Sequence, residues 1–152
     1  MTIPDATPLP ASELAEVILR TSRRLRRATA THLEPLPVNP HQARALRTIV
    51  RAEPVRMAAL AELLHVAPRS ATEVTDALVA GGWVTRAADP ADRRTRVLRP
   101  TASGRALAAD VDAARAAAAE EVLGDLSPAA RTAIVEALGD VPAGRRGDRT
   151  AT

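Results

Sequence analysis

The feature that most constrains the fold of this sequence is a change of hydrophobic period near residue 81. Before it, four segments carry apolar residues at helical spacing. After it come two short β-prone runs, "WVTRA" (83–87) and "TRVLR" (95–99), separated by the polar, turn-rich segment "ADPADRR" (88–94). Two short strands around such a segment predict a β-hairpin with helices on both sides of it.

Punctuating residues divide the rest of the chain into helices. Ser12, Thr101 and Ser127 are expected as N-caps, and Pro68 suits a first helical turn. The pair Gly81-Gly82 suits a left-handed C-cap, and "AEPV" (52–55) is expected as a short break. Helices are predicted at about 13–33, 40–52, 56–65, 68–80, 102–123 and 128–138. The expected fold class is mainly α with a small β-hairpin.

Composition limits the classes of function. The 152 residues, 46% of them hydrophobic, are enough for one domain with one core. All 21 basic residues are arginine, yet the net charge is only +3, so only a local cluster argues for nucleic acid. The absence of cysteine excludes a disulfide, a thiolate zinc site and a thiol switch.

Neither export nor membrane insertion is expected. The N-terminus has no charged region followed by an apolar run, and no apolar stretch approaches 18 residues. We therefore expect a cytoplasmic protein with no membrane partner. Residues 1–11 and 140–152 are expected to be disordered tails around a single domain at 12–139.

Catalysis and cofactors are not expected either. The sequence has no cysteine nucleophile, no paired-histidine zinc motif and no Gly-rich phosphate loop, and its three histidines lie on different elements. Asp89 and Asp92 are expected in an exposed loop, where no burial would raise a pKa for acid–base work. The sequence thus predicts neither a metal site nor a bound cofactor.

Two short helices joined by a tight turn and followed by a hairpin form the layout of a winged helix-turn-helix. The N-terminal residues of its second helix can meet base edges in a DNA major groove. Arg69 can donate two hydrogen bonds to one guanine. Ser70 and Thr72 can hydrogen-bond to phosphates or bases, or only to the backbone of the first helical turn. The candidate residues in this helix are Arg69, Ser70, Thr72 and Glu73.

The hairpin, or wing, carries a second set of candidates. Its tip, with Arg93, Arg94 and Arg96, can reach the adjacent minor groove, whose negative potential attracts arginine. Phosphate contacts are expected from Arg86, Arg93, Arg96 and the helix N-termini. The alternative is that this segment is a solvated loop that contacts no DNA. An arginine stripe of the first helix (Arg20, Arg23, Arg24 and Arg27) is expected to be a solvated face or a dimer rim.

Three stretches of the sequence resemble the multiple antibiotic resistance regulator (MarR) family. They are "LPVNPHQARALRTI" (36–49), "VAPRSATEVTDALVAGGWVTR" (66–86) and "DPADRRTRVLRPTASG" (89–104). The resemblance covers roughly residues 12–139, and the wing motif is its most specific part. It implies a DNA-binding part at about 40–100 and dimerisation helices at about 12–34 and 101–139.

What the resemblance implies about function is a homodimer that binds a pseudo-palindromic duplex site and represses transcription. Arg94 would enter the minor groove, and Asp92 would help to hold that arginine and the wing in shape. A cleft between the dimerisation helices and the winged domain would hold a small anionic or phenolic effector that releases DNA.

The sequence departs from the family pattern at two places. Glu73 stands where many relatives have arginine or another residue that suits DNA binding, and it could accept from cytosine N4 or pair with a nearby arginine. Pro100 replaces the usual leucine and is expected on an edge strand. The rival interpretations are a winged-helix protein-interaction module without DNA binding, and a ligand-binding helical dimer with incidental DNA affinity.

Overall fold

A computed structural model of the chain describes residues 9–89, 91 and 95–140. Residues up to Val122 form one compact unit, and residues from Leu123 onward form a second. The helices are α1 (Ala11–Leu33), α2 (Pro40–Ala52), α3 (Met57–Leu64), α4 (Pro68–Ala80), α5 (Ala102–Leu123) and α6 (Pro128–Gly139), and the strands are β1 (Val55–Arg56), β2 (Val84–Ala88) and β3 (Arg96–Pro100). The predicted bounds of α2, α4 and α5 are confirmed.

A capping box starts α2. The Asn39 side chain accepts a hydrogen bond from the Gln42 backbone N–H, and the Gln42 side chain accepts one from the Asn39 N–H, each at 2.9 Å. Pro40 follows in the first turn, where its missing N–H costs nothing. The helix then buries apolar residues that recur at helical spacing, including Leu46 and Ile49, against the core.

One face of α4 is buried in the core, and the opposite face points outward. α3 ends at His65, whose φ of 55° is left-handed, and α4 begins at Pro68. Its inner face buries Ala71, Thr75 and Leu78, with the Thr75 hydroxyl donating to the Ala71 carbonyl at 2.7 Å. Since this face is fixed in the core, the residues at the other positions of the first turns are left exposed.

The sheet has three strands, whereas the sequence predicted two. β1 lies within the segment expected as a break, and the order is β1-β3-β2 with both pairings antiparallel. A two-residue strand is too short to show an alternating pattern, so only its pairing with β3 reveals it. The edge-strand expectation for Pro100 is therefore wrong, because β3 is central. Pro100 is tolerated because it ends β3, beyond the residues that pair with β1.

The start of α5 is joined to the base of the wing. Thr101 caps α5 as predicted, accepting from the Gly104 N–H at 3.0 Å, and it donates to the Gly82 carbonyl at 2.8 Å. Gly82 adopts a φ of 76°, which confirms the left-handed helix end at this glycine. A Cβ on Gly104 would overlap the Trp83 carbonyl oxygen. Trp83 itself is half-buried and packs against the core, which joins the base of the wing to it.

The N-terminal half of α1 differs from expectation in two ways. The helix begins at Ala11 after Pro10 and has no side-chain cap, so the prediction of Ser12 as N-cap is wrong. Proline holds the extended φ and ψ of a cap position, and this places Ser12 inside the first turn. The apolar residues Leu14, Ile18 and Ala28 lie at helical spacing along α1 and predict one buried face, but only Ala28 is buried, whereas Leu14 and Ile18 are exposed.

The second unit contains α6. Its predicted cap is confirmed, because the Ser127 hydroxyl accepts from the Ala130 N–H at 3.2 Å. The Arg131 guanidinium donates to the carbonyls of Leu126 and Gly124 at 3.0 and 2.7 Å and closes the turn. No side chain of α6 is buried within the described part of the chain, and Val135 is exposed.

Candidate nucleic-acid interface

The first two turns of α4 present all four predicted residues to solvent. Arg69, Ser70, Thr72 and Glu73 are exposed, as a face that opposes the buried one must be. The Thr72 hydroxyl donates to the Pro68 carbonyl at 3.0 Å, so it serves the first turn and keeps only acceptor capacity. Ser70 lies beside a groove between α2 and α4.

Glu73 pairs with a nearby arginine, which is one of the two roles expected for it. Arg69 Nε donates to Glu73 Oε1 at 3.0 Å, one helical turn along α4. The two side chains are 90% and 64% exposed, and an exposed pair at this spacing contributes only about 0.3–0.5 kcal/mol. Arg69 is therefore held in position and remains accessible to a ligand.

A second ion pair joins α4 to the wing. The Arg86 guanidinium of β2 donates to Asp76 of α4. Arg86 thus faces the same side of the molecule as the outer face of α4. Arg96, the first residue of β3, is exposed and pairs across the hairpin with Ala88. The remaining predicted wing residues, Asp92, Arg93 and Arg94, lie outside the described residues.

The stem of the wing holds a buried carboxylate that the sequence did not reveal. Asp89 Oδ2 accepts from Arg56 Nη2 at 2.7 Å and from Arg56 Nε at 3.1 Å. Its other oxygen accepts from the Ala91 N–H at 2.9 Å, and its backbone N–H donates to the Thr95 carbonyl at 2.8 Å. One residue therefore joins β1, the end of β2 and the chain entering β3.

The expectation of an exposed Asp89 is wrong, because β1 brings Arg56 over it and covers it. The hydrogen bonds from Arg56 and then from Ala91 lower the pKa of Asp89 below its usual 3.8, and they outweigh the opposing effect of desolvation. A lowered pKa suits a permanently charged anchor and not a general acid. The only signal in the sequence was the Asp-Pro dipeptide, which favours a side-chain-capped turn.

The groove beside α4 adds two residues that the sequence did not single out. It has a volume of about 410 Å³, and its walls come from the start of α2, the end of α3 and the outer face of α4. His41 and Arg44 of α2 line it together with Ser70 and Glu73. Only the packing of α2 against α4 places them here, since they are about thirty residues away along the chain.

Within the described ranges, no three histidine, cysteine or acidic residues are close enough to hold a metal ion. No helix among them is both long and apolar enough to cross a membrane.

Known proteins share this architecture. RV1404 from Mycobacterium tuberculosis is 25% identical over 90% of this chain and 94% of its own, with a TM-score of 0.74. A mutant of MarR from E. coli, complexed with operator DNA, is 24% identical over 85% and 94%, with a TM-score of 0.73. CouR from Rhodococcus jostii bound to p-coumaroyl-CoA is 21% identical over 87% and 93%, with a TM-score of 0.71.

Comparison with curated protein sequences gives no match. The family model described as MarR family matches residues 38–95, which run from the start of α2 into the wing. The solved structures share the fold on both sides of this segment. Residues 38–95 therefore match the MarR family model, and the described part of the chain has the winged helix-turn-helix fold of these solved structures.

Proposed function

We propose that this protein is a DNA-binding transcription regulator that acts as a homodimeric repressor at a pseudo-palindromic site. The carrying observation is the exposed outer face of α4, which presents Arg69 on a helix fixed in the core. A helix held in this way can enter a major groove without an ordering cost. The DNA complex of the E. coli relative supports this use of the fold.

Contacts to DNA divide into base readout and phosphate binding. α4 enters the major groove, with Arg69, Ser70, Thr72 and Glu73 at the bases. Arg94 enters the minor groove and Asp92 holds the wing in shape. The phosphate contacts come from Arg86, Arg93, Arg96 and, at the start of α2, His41 and Arg44.

Homodimerisation is supported by apolar side chains that a single chain leaves in water. They are Leu14, Val17, Ile18 and Leu19 of α1 and Ile134, Val135 and Leu138 of α6. Exposed apolar side chains grouped on one helix are typical of interaction surfaces. A second copy of the chain would cover them and place two α4 helices on one duplex. Light scattering after gel filtration should give a dimer mass.

DNA fragments from beside the protein's own gene provide the first test. We expect tight binding that weakens steeply between two salt concentrations, because arginines release condensed counterions from the phosphates. Arg94→Ala should weaken binding roughly tenfold. Arg24→Ala, an exposed arginine on α1, is the control and should change little. A folded dimer that binds no fragment would instead support the protein-interaction module.

Release by a small molecule is supported by excess positive charge between α2 and α5. Arg47 Nε donates to Asp112, and the Arg47 side chain is only 16% exposed. Arg51 lies one turn further along α2, and Arg115 lies one turn beyond Asp112 on α5. Desolvation lowers the pKa of Arg115, as do the charges of Arg47 and Arg51, whereas Asp112 opposes the shift. Asp112 thus bonds Arg47 and lies near Arg115, and Arg51 adds a further positive charge that acts on Arg115. We propose that an effector carboxylate or phosphate joins these guanidinium groups.

Benzoate and benzamide test this effector site, because they have nearly the same shape but differ in charge. Saturating benzoate should raise the Tm by several degrees, since a ligand at 100 times its Kd adds about 2.7 kcal/mol to stability. Arg115→Gln should abolish the rise and Arg24→Gln should keep it. Equal effects of benzoate and benzamide would show that charge recognition is absent and contradict the site.

A further inference from the structure

The ion pair between Arg69 and Glu73 has unused hydrogen-bonding capacity on its outer side. Their bond uses Arg69 Nε and Glu73 Oε1. Both terminal nitrogens of the guanidinium, and Glu73 Oε2, remain to bond a third group. The two residues lie one turn apart in the first two turns of α4, so both project from the same exposed stripe.

Glu73 also restricts how Arg69 can be used. An arginine held at Nε can present only its two terminal N–H groups, side by side, to a ligand. This fork matches the O6 and N7 acceptors of guanine. A carboxylate oxygen beside the fork matches the N4 amino donor of cytosine, which no other base pair presents in the same arrangement.

We propose that Arg69 and Glu73 act as one unit that specifies a G·C base pair in each half-site. Arg69 donates to the guanine, and Glu73 positions that arginine and accepts from the paired cytosine. This inference rests on the proposed function, because it assigns the base that the same surface reads.

The negative charges on α4 favour a role in base discrimination over a role in general attraction to DNA. Glu73 is a carboxylate on the face that would approach the phosphates, and Asp76 is a second one a turn away on α4. Both lower the attraction of α4 for any duplex, whatever its sequence. A carboxylate at this position therefore favours only those DNA sequences in which a base donates a hydrogen bond to it. Glu73 is thereby a determinant of specificity at the expense of general affinity.

The test starts from a duplex that the wild-type protein selects out of a randomised duplex pool. Each base pair of the selected duplex is then replaced in turn, and the Kd is measured for each replacement. Wild-type protein should discriminate by about tenfold or more at one G·C pair per half-site. Glu73→Ala should remove the discrimination between base pairs at that position alone. It should also raise the affinity for unrelated duplexes. Glu73→Gln should move the preference there towards A·T, because glutamine pairs with adenine N6 and N7.

Two variants serve as comparisons. Arg69→Lys keeps the charge but cannot donate two parallel hydrogen bonds to guanine. It should therefore lose base discrimination at the same position as Glu73→Ala. Glu16→Ala removes an exposed carboxylate from α1 and should leave every position unchanged. Since Glu73 is exposed, the Tm should confirm that its variants are folded.

Two results would overturn the inference while leaving the regulator intact. One is a Glu73→Ala variant that gains the same affinity for every duplex, because Glu73 would then act by charge alone. The other is base discrimination that Arg69→Lys and both Glu73 variants leave unchanged. If the wild type selects no duplex at all, the proposed function fails and the assignment of a G·C pair fails with it.

Discussion

Replacing Leu60 by alanine is expected to lower the free energy of unfolding by about 3 kcal/mol. Leu60 is completely buried on α3, in the core that α2, α4 and the sheet share. The substitution removes apolar area from the folded state and leaves a cavity that the surrounding helices can only partly fill. Urea unfolding followed by circular dichroism measures the change, with an unaltered m-value showing that the midpoint shift reports stability.

Leu63 provides the matched control for this substitution. It lies three residues further along the same helix but is 50% exposed. Leu63→Ala makes the same chemical change at nearly the same helix propensity, so it should cost less than about 1 kcal/mol. Equal costs for the two variants would contradict the core described here.

Asp89→Asn is expected to weaken DNA binding by ten- to a hundredfold. Asparagine has nearly the same shape and can still accept from the Ala91 N–H, but it loses the charge that holds Arg56. A loosened stem misplaces the wing arginines together, so the effect should equal or exceed the loss of one arginine contact, about 1–3 kcal/mol. A titration with the duplex selected by the wild-type protein measures the change.

The pH dependence of stability separates the anchor from a general defect. The folded-state pKa of Asp89 is lowered, so its contribution is complete above 3.8 and disappears as the pH falls through the lowered value. Wild type should therefore exceed Asp89→Asn in Tm at neutral pH, and the two should converge below pH 3.8. Arg56→Gln should lose the same increment, and combining both substitutions should cost little more than either. A constant Tm difference at every pH would contradict the assignment.

Local signals in the sequence determined most of the helical framework. Proline and glycine occupy backbone positions that few other residues tolerate, and so Pro40, Pro68 and Gly82 marked the helix ends closely. Apolar residues at helical spacing identified the buried faces of α2 and α4. The exposed candidates on α4 followed from the same pattern, because the outer face is the complement of the buried one.

Tertiary structure decided the features that depend on residues far apart in the chain. β1 exists only through its pairing with β3, more than forty positions later, and Arg56 meets Asp89 only because of that pairing. The pairing of Glu73 with Arg69 also became visible only in the side-chain geometry. The hydrophobic period of a segment indicates which of its faces is buried. The energies of strand pairing and of ion pairs depend on which residues from distant segments contact that face. The sequence therefore determined the helices and the inner faces of α2 and α4, and only the packed chain decided how the wing is anchored and how its neighbouring helix presents its charges.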